Sequence, residues 1–482
     1  MASTTPVPTR TKVLFGTGAL AESVCLYSFG FFIMLYYNQV LGLPATLAGL
    51  GPTVALIFDA VTDPLIGSWS DRFRSAKWGR RHPFMLIAPV PVVVSFYAVF
   101  NPPDGLSQTA LFVWLIVFSI LLRSMMTLYF VPHLALGGEM ARDYHERSSI
   151  MSYNNFGTYV GAAGAHFFSL KFIFIATAGY SSGLLVPEAY EEFSTIASVL
   201  VFLALYACAW FTRDRIPTLS QPADDLARFN FQDFFGDILK VLKNRNYLFL
   251  LLGLLFLSIT IGMRAAFNNY MNLYYWEFST SQIANFVIGS LVGYGCGFLF
   301  TVRLHRRFDK RAVIVACAVG YAFFEALPVC LRILGAFPEN GSDYLFTSVL
   351  TFHIFGSASL SILNISVMSA LADVADENEV RFGQRQEGML YSARTFFSKA
   401  DRALGTFLAG VALDLIAFPA RAVPGEVAPD TIFNLGLIDS PVTIVPALIG
   451  ALFYAGYRIN KDAHEKIRAT LESRHLAEET SG

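Results

Sequence analysis

Charge is scarce in this chain. Lys, Arg, Asp and Glu make up only 15% of its 482 residues, against about 25% in an ordinary soluble domain. The hydrophobic share is 54% and the mean hydropathy is +0.50. A water-exposed globular domain is thereby excluded. Cysteine is also sparse: Cys25, Cys208, Cys296, Cys317 and Cys330 all fall in apolar stretches, so buried reduced thiols are expected rather than a disulfide framework or a metal site. The net charge is −1, and no nucleic acid is expected as a partner. The opening run Met1 to Lys12 is polar and too short for a signal peptide, and the apolar stretch after it outruns a signal h-region without a small-residue cleavage pattern.

What the chain has in abundance is apolar runs long enough to need about 20 helical residues each. Roughly twelve are read: 13–41, 46–69, 83–101, 109–138, 149–175, 193–212, 246–275, 281–304, 311–335, 344–372, 389–418 and 431–458. An all-α polytopic membrane protein is expected, with both termini cytoplasmic, in a plasma or bacterial inner membrane. Orientation follows from basic residues, which stay on the cytoplasmic side. Arg72, Arg74, Lys77, Arg80 and Arg81 crowd one loop, and Arg306, Arg307, Lys310 and Arg311 another. The loops between carry few or only acidic charges. The polar stretch 213–245 separates six segments from six and holds a candidate amphipathic interfacial helix at 231–242. The expected domains are therefore 1–212, a linker 213–245, a second bundle 246–459 and a cytoplasmic tail 460–482.

Against this background two aspartates one helical turn apart, Asp59 and Asp63, demand a counter-ion. On insertion scales an ionised carboxylate at bilayer depth costs about 2.5 to 3.5 kcal/mol. Residues i and i+4 project from one helix face, so their oxygens can converge on one cation. Asp59 lies twelve residues from the cytoplasmic Asp71, Thr127 twelve from Glu139 and Lys399 eleven from Gly388. At 1.5 Å per residue these are depths of roughly 16 to 18 Å, which puts all of them in one layer. Na⁺ is a hard ion that takes oxygen ligands, and the Thr127 hydroxyl supplies a neutral one. Crowded carboxylates also accept protons, so H⁺ and Li⁺ stay open as the coupling ion. An ammonium such as Lys399 needs an anionic partner in low dielectric, and the acid pair is the natural candidate.

The stretch Phe58-Asp59-Ala60-Val61-Thr62-Asp63-Pro64 through Asp71-Arg72, followed by Trp78-Gly79-Arg80-Arg81-His82-Pro83, closely resembles the glycoside-pentoside-hexuronide cation symporters of the major facilitator superfamily. Val131-Pro132-His133 running into Asp143-Tyr144-His145-Glu146-Arg147, then Gly383-Gln384-Arg385-Gln386-Glu387-Gly388, and Tyr391-Ser392 through Lys399 extend the resemblance in the expected order. It implies two six-helix halves around a midplane site. It implies a monomeric cation-coupled symporter, not an enzyme, with no cofactor beyond the coupling ion. Asp59, Asp63 and Thr127 match the Na⁺-holding positions of the melibiose carrier, and Lys399 a functionally important Lys. Asp71, Arg72, Arg80 and Arg81 resemble the facilitator signature after helix 2, which is thought to hold one conformation closed.

Ser23, Phe130 and Asn155 stand where the melibiose carrier binds sugar hydroxyls through two Asp and an Arg, so its galactoside set is missing. Phe130 replaces a hydroxyl acceptor with an apolar face. The sodium-dependent lysophosphatidylcholine symporters are similar at the Asp pair, the Thr and the Lys. The expected cargo is therefore an amphipathic solute, a lysolipid or a glycoside-like compound, with Glu22 or Arg394 as headgroup partners. A sugar:H⁺ symporter and an uncoupled scramblase or channel are the alternatives. Arg264, Glu325, Asp401 and Arg402 are further ionisable residues in or near apolar segments. A membrane enzyme is disfavoured, because the acid pair is stacked on one helix and no Ser-His pairing or His-Glu metal constellation lies at midplane.

Overall fold

The computed structural model describes residues 6–75, 77–141, 143–219, 236, 242–382 and 387–481. Within these, the side chains at 60, 144, 218, 382, 387–389, 391–393, 395–396, 398–402 and 474–481 lie outside the description. The expected amphipathic helix at 231–242 falls almost entirely outside the described residues. So do Gly383 to Gln386 of the resemblance motif.

Helices stand over each of the twelve expected segments, and the chain divides into two compact units. The first unit contains α1 (Thr9–Val40), α2 (Ala45–Arg72), α3 (His82–Ile87 and Pro89–Phe100), α4 (Gln108–Glu139), α5 (Tyr144–Phe168) and α6 (Pro187–Phe211). The second contains most of α7 to α12: α7 (Arg245–Tyr275), α8 (Thr280–Arg307), α9 (Lys310–Ile333), α10 (Leu345–Phe382), α11 (Glu387–Leu415) and α12 (Pro429–Tyr454). The tail helix α13 (Lys461–Ser481) belongs to it as well. Among the described residues nine helices are long and apolar enough to cross a bilayer, and Pro89–Phe100 and Ala403–Leu415 are shorter apolar pieces. The protein is an integral membrane protein. Its outward faces carry bare apolar side chains such as Phe298 and Leu452, which are 67% and 74% exposed and suit lipid rather than water.

Local chemistry sets the helix ends. Asn244, Asp143 and Ser107 cap α7, α5 and α4 by accepting hydrogen bonds from first-turn backbone N–H groups, and Pro187 and Pro429 sit in the first turns of α6 and α12, where a missing N–H costs nothing. Prolines inside helices, Pro52 and Pro64 in α2 and Pro132 in α4, survive because neighbouring helices brace them. α1 and α7 end alike: each closes in a widened π turn, Tyr36–Val40 and Met271–Tyr275, and each carries Leu-Tyr-Tyr at that end. α5 closes in a π turn as well, Ser169–Ile173, so what α1 and α7 share beyond it is the Leu-Tyr-Tyr sequence.

Water-driven burial does not operate between helices in lipid, so close backbone approach must do the work. In the first unit α1 packs on α5 through glycines. A Cβ at Gly16 would lie 2.7 Å from the Tyr153 carbonyl oxygen, one at Gly157 would run into the Gly16 carbonyl, and one at Gly161 into Ser23 and the Leu20 carbonyl. An aromatic cluster closes the same unit, with Phe174 ring centroids 4.8 Å from both Phe32 and Tyr190. In the second unit the same device joins α8 to α10, where a Cβ at Gly293 would come 2.5 Å from the Ile354 carbonyl oxygen. Tyr247, Leu251, Ala370, Val374 and Tyr454 form part of the buried core there.

Two departures from the sequence expectation emerge. Although 246–459 was expected as one bundle, 279–284 and 413–426 pack with the first unit. The reason is polar: the Asp414 carboxylate accepts from the Ala45 and Thr46 backbone N–H groups at 3.1 and 2.8 Å, and Gln39 exchanges bonds with Pro419 and Ala422. The cysteines are all free, but only Cys25 and Cys208 are buried. Cys296 is exposed on α8, because an apolar segment has a face turned outward as well as one turned inward.

Gly157→Leu should therefore destabilise the first unit by about 1 to 3 kcal/mol, the usual cost of overpacking. Thermal unfolding in detergent checks it. Gly164→Ala, whose Cβ would meet only Phe168 at 3.9 Å, should leave the melting temperature within a degree or so of the parent.

Candidate functional site

The acid pair sits on α2 and faces α4. Asp59 is 2% exposed and Asp63 is half-buried. Thr127 reaches both: its hydroxyl oxygen lies 2.6 Å from Asp59 Oδ1 and 2.9 Å from Asp63 Oδ1. The three residues named from sequence thus come together. A hydroxyl has one proton, however, and an ionised carboxylate only accepts. Thr127 can donate to one aspartate at a time. The other oxygen faces the hydroxyl lone pairs, an arrangement that a cation between them would relieve.

A fourth residue was not foreseen. Arg123, one turn before Thr127 on the same face of α4, forms an ion pair with Asp59 Oδ2. Both side chains are more than nine-tenths buried. The signal for it was present, since Arg123 is an ionisable residue in the middle of the apolar run 109–138, and the same i, i+4 spacing that picked out the aspartates links it to Thr127. Among the described side chains, two carboxylates and one guanidinium are brought together there. The Nε–H of Arg123 is buried without a hydrogen-bond partner, as are the hydroxyls of Ser119 and Ser124 beside it. α4 therefore lines the acid pair with a polar strip inside an otherwise apolar helix.

The expected cargo residues are placed less uniformly. Ser23 is buried in the α1–α5 seam and donates to the Leu20 carbonyl at 2.9 Å, so its hydroxyl is engaged with its own helix. Phe130 is buried one turn from Thr127, its ring 5.2 Å from Tyr129 and 6.1 Å from His133. Asn155 is exposed, and Glu22 is half-buried on α1. In the second unit Arg394 is half-buried on α11 with its Nε–H lacking a partner. The side chains of Lys399, Asp401 and Arg402 lie outside the described residues.

At the end of α2 the loop charges assemble as a cluster. Arg81 Nη2 lies 2.5 Å from Asp71 and 2.8 Å from Glu139, Arg81 Nη1 donates to Ser70 at 2.7 Å, and Arg80 Nη2 meets Glu139 at 2.8 Å. Glu139, at the last turn of α4, is the hub. It had served only as a depth marker in the sequence. Arg72 stands half-buried on the last turn of α2. The second unit has a counterpart: Lys310 Nζ binds Asp373 at 2.7 Å, and Tyr457 and His464 reach the same carboxylate at 3.1 and 3.3 Å. Burial, with Asp373 alongside, pushes the Tyr457 phenol well above its ordinary value.

Comparison with known proteins gives a consistent picture. A family model described as MFS/sugar transport protein matches residues 14–461. The candidate glycoside/cation symporter YagG of Escherichia coli is 24% identical, with 97% of this chain and 94% of that protein covered. The sodium-dependent lysophosphatidylcholine symporter 1 of Gallus gallus is 22% identical over 98% of this chain and 90% of its own. Among solved structures, a bacterial homologue of the human lysosomal transporter Spinster, inward-facing and unoccupied, superposes with a TM-score of 0.65 at 14% identity, covering 96% of this chain and 99% of that one. The last likeness speaks to fold alone.

Replacing Glu139 with Gln would leave Arg80 and Arg81 facing each other without their shared anion. Because Arg80 and Glu139 keep some solvent contact, the expected loss is roughly 1 to 3 kcal/mol, below the figure for a fully buried pair. Chemical or thermal unfolding of Glu139→Gln measures it. A simultaneous Arg80→Gln should recover part of the loss.

Proposed function

The chain belongs to the MFS/sugar transport protein family, and on that premise we propose that it is a secondary active symporter that couples an amphipathic solute to Na⁺ by alternating access. That it is a membrane transporter of the major facilitator class and not an enzyme follows from the family. One observation carries the Na⁺ reading: a single Thr127 hydroxyl bridges two carboxylates that share a helix face, so three oxygens converge where one small cation fits.

Arg123 refines this picture. Its guanidinium pairs with Asp59, and in this reading the cation is held between Asp59 and Asp63. An acid pair buried in low dielectric without its cation is penalised, so the ion-free carrier should resist the states in which solvent is excluded. Ion plus solute would remove the penalty and let the carrier turn over. In this reading Lys399 is the coupling residue, and Asp71, Arg72, Arg80 and Arg81, joined through Glu139, act in gating. On the same reading both termini lie in the cytoplasm and 213–245 links the two halves.

For the cargo, two names among the relatives bracket the choice, a glycoside and a lysophosphatidylcholine. Phe130, buried among aromatic rings beside the ion site, supports a solute with an apolar part. Glu22, Ser23, Asn155 and Arg394 remain the candidate polar partners, with Ser23 the weakest because its hydroxyl is spent on the Leu20 carbonyl.

The test is Na⁺ titration of the purified carrier by thermal stabilisation, followed by uptake into vesicles from a panel of glycosides and lysolipids. Na⁺ should stabilise the parent, Asp63→Asn should weaken Na⁺ binding by at least about tenfold (1.4 kcal/mol), and Arg123→Ala should tighten it. Asp63→Asn with unchanged Na⁺ affinity would overturn the site. Uptake that merely equilibrates across the vesicle with an imposed Na⁺ gradient would overturn symport.

A further inference from the structure

A second buried charge group lies in the second unit, and the first-unit site makes no use of it. Arg264 on α7 holds two carboxylates: Nη2 lies 3.0 Å from Glu325 Oε2 on α9, and Nη1 lies 3.1 Å from Asp439 Oδ2 on α12 and 3.1 Å from the Asp439 carbonyl oxygen. Asp439 stands in a π turn, Ile438–Val442, whose widened backbone presents both its carbonyl and its carboxylate to Arg264; Ser440 also donates to it at 3.2 Å. The other Glu325 oxygen, Oε1, lies 3.3 Å from His353 Nδ1 on α10. Glu325 can lie so close to α10 because residue 356 is glycine: a Cβ there would sit 2.5 Å from Oε1. His353 Nε2 is 2.8 Å from the Ser290 hydroxyl on α8 and 3.5 Å from that of Ser357. The Phe286 ring meets the imidazole edge-on at 5.4 Å.

The charges do not sum to zero with a neutral imidazole. Glu325 and Asp439 give −2, Arg264 gives +1, and one proton on His353 brings the group to neutrality. Among the described side chains no other full charge pairs with these four groups: α8 offers Ser290 and Phe286, α9 adds the Tyr321 phenol, and α10 itself adds Ser357. We propose that Arg264, Glu325, Asp439 and His353 form a single-proton binding site of this transporter, with His353 the group that takes the proton.

The hydrogen-bond chemistry suits both states. Glu325 only accepts, so Nδ1 of His353 carries hydrogen throughout and donates to it. In the neutral ring Nε2 accepts from the Ser290 O–H. On protonation a hydronium ion yields its proton to Nε2, leaving water. The new N–H then donates to the Ser290 oxygen, whose O–H rotates away, so the ring need not move. Entry is also graded. The His353 side chain is 28% exposed, Glu325 14% and Asp439 3%, so the histidine stands at the open edge and the aspartate at the closed end. This site depends on the chain being a transporter but not on the Na⁺ reading, and its test contains no Na⁺.

The experiment is NMR of ¹⁵N-histidine-labelled protein in nanodiscs without Na⁺, with the His353 signal assigned by its loss in His353→Gln and followed between about pH 5 and 8. In Glu325→Gln the remaining Arg264 and Asp439 already balance, so His353 should bind its proton at least tenfold more weakly than in the parent. If that variant does not fold, Ser290→Ala removes the reversible partner of Nε2 and should weaken proton binding in the same direction. Proton affinity of His353 in Glu325→Gln, or in Ser290→Ala where that variant replaces it, within twofold of the parent would overturn the proposal. So would a ring that stays neutral over the whole range.

Discussion

Compensation of buried charge governs this molecule. In an apolar surrounding an ion without a partner costs several kcal/mol, more than most packing contacts return. The ionisable groups deep in each unit accordingly occur in sets. In the first unit Asp59 and Asp63 share Arg123, and in the second Glu325 and Asp439 share Arg264. Among the described side chains both sets hold two carboxylates to one guanidinium.

The sites are stiff because the helices around them touch backbone to backbone. Glycine seams bring α1 against α5 and α8 against α10, and they fix which faces the helices present. Within the units, α2 turns the acid pair towards Arg123 and Thr127 of α4, and α9 turns Glu325 towards His353 of α10. Charge clusters at the ends of α2 and α4 and around Asp373 tie the same helices at their polar ends. Each unit therefore joins a firm frame to a small number of titratable or ion-binding groups.

Much of this was legible in the sequence, because lipid imposes simple rules. Apolar length located the helices, and charge at depth singled out Asp59 and Asp63. Helical rise aligned Thr127 with them, and the basic residues after α2 marked Arg80 and Arg81 as a charge cluster at the helix end. Arg123 is marked by its depth in the same way, but its role is not, because a lone cation in an apolar run does not name the carboxylate it pairs with. Glu139 was missed as a hub because its partners arrive from a loop, whose path no periodicity encodes. Asp414 and Gln39 were invisible for a related reason: they bond to backbone groups far along the chain, and backbone groups leave no trace in residue type. His353 and Ser290 look ordinary in sequence and acquire meaning only beside Glu325.

Pro64 carries one more consequence. Lacking an N–H, it cannot bond the carbonyl of Ala60, so between the two aspartates the ladder of α2 has a missing rung. That leaves a backbone oxygen without its ordinary donor beside the acid pair, and it makes the helix most pliable at the depth where its charges lie. A rod jointed at that point can hinge there, so that the helical segments on either side tilt against each other.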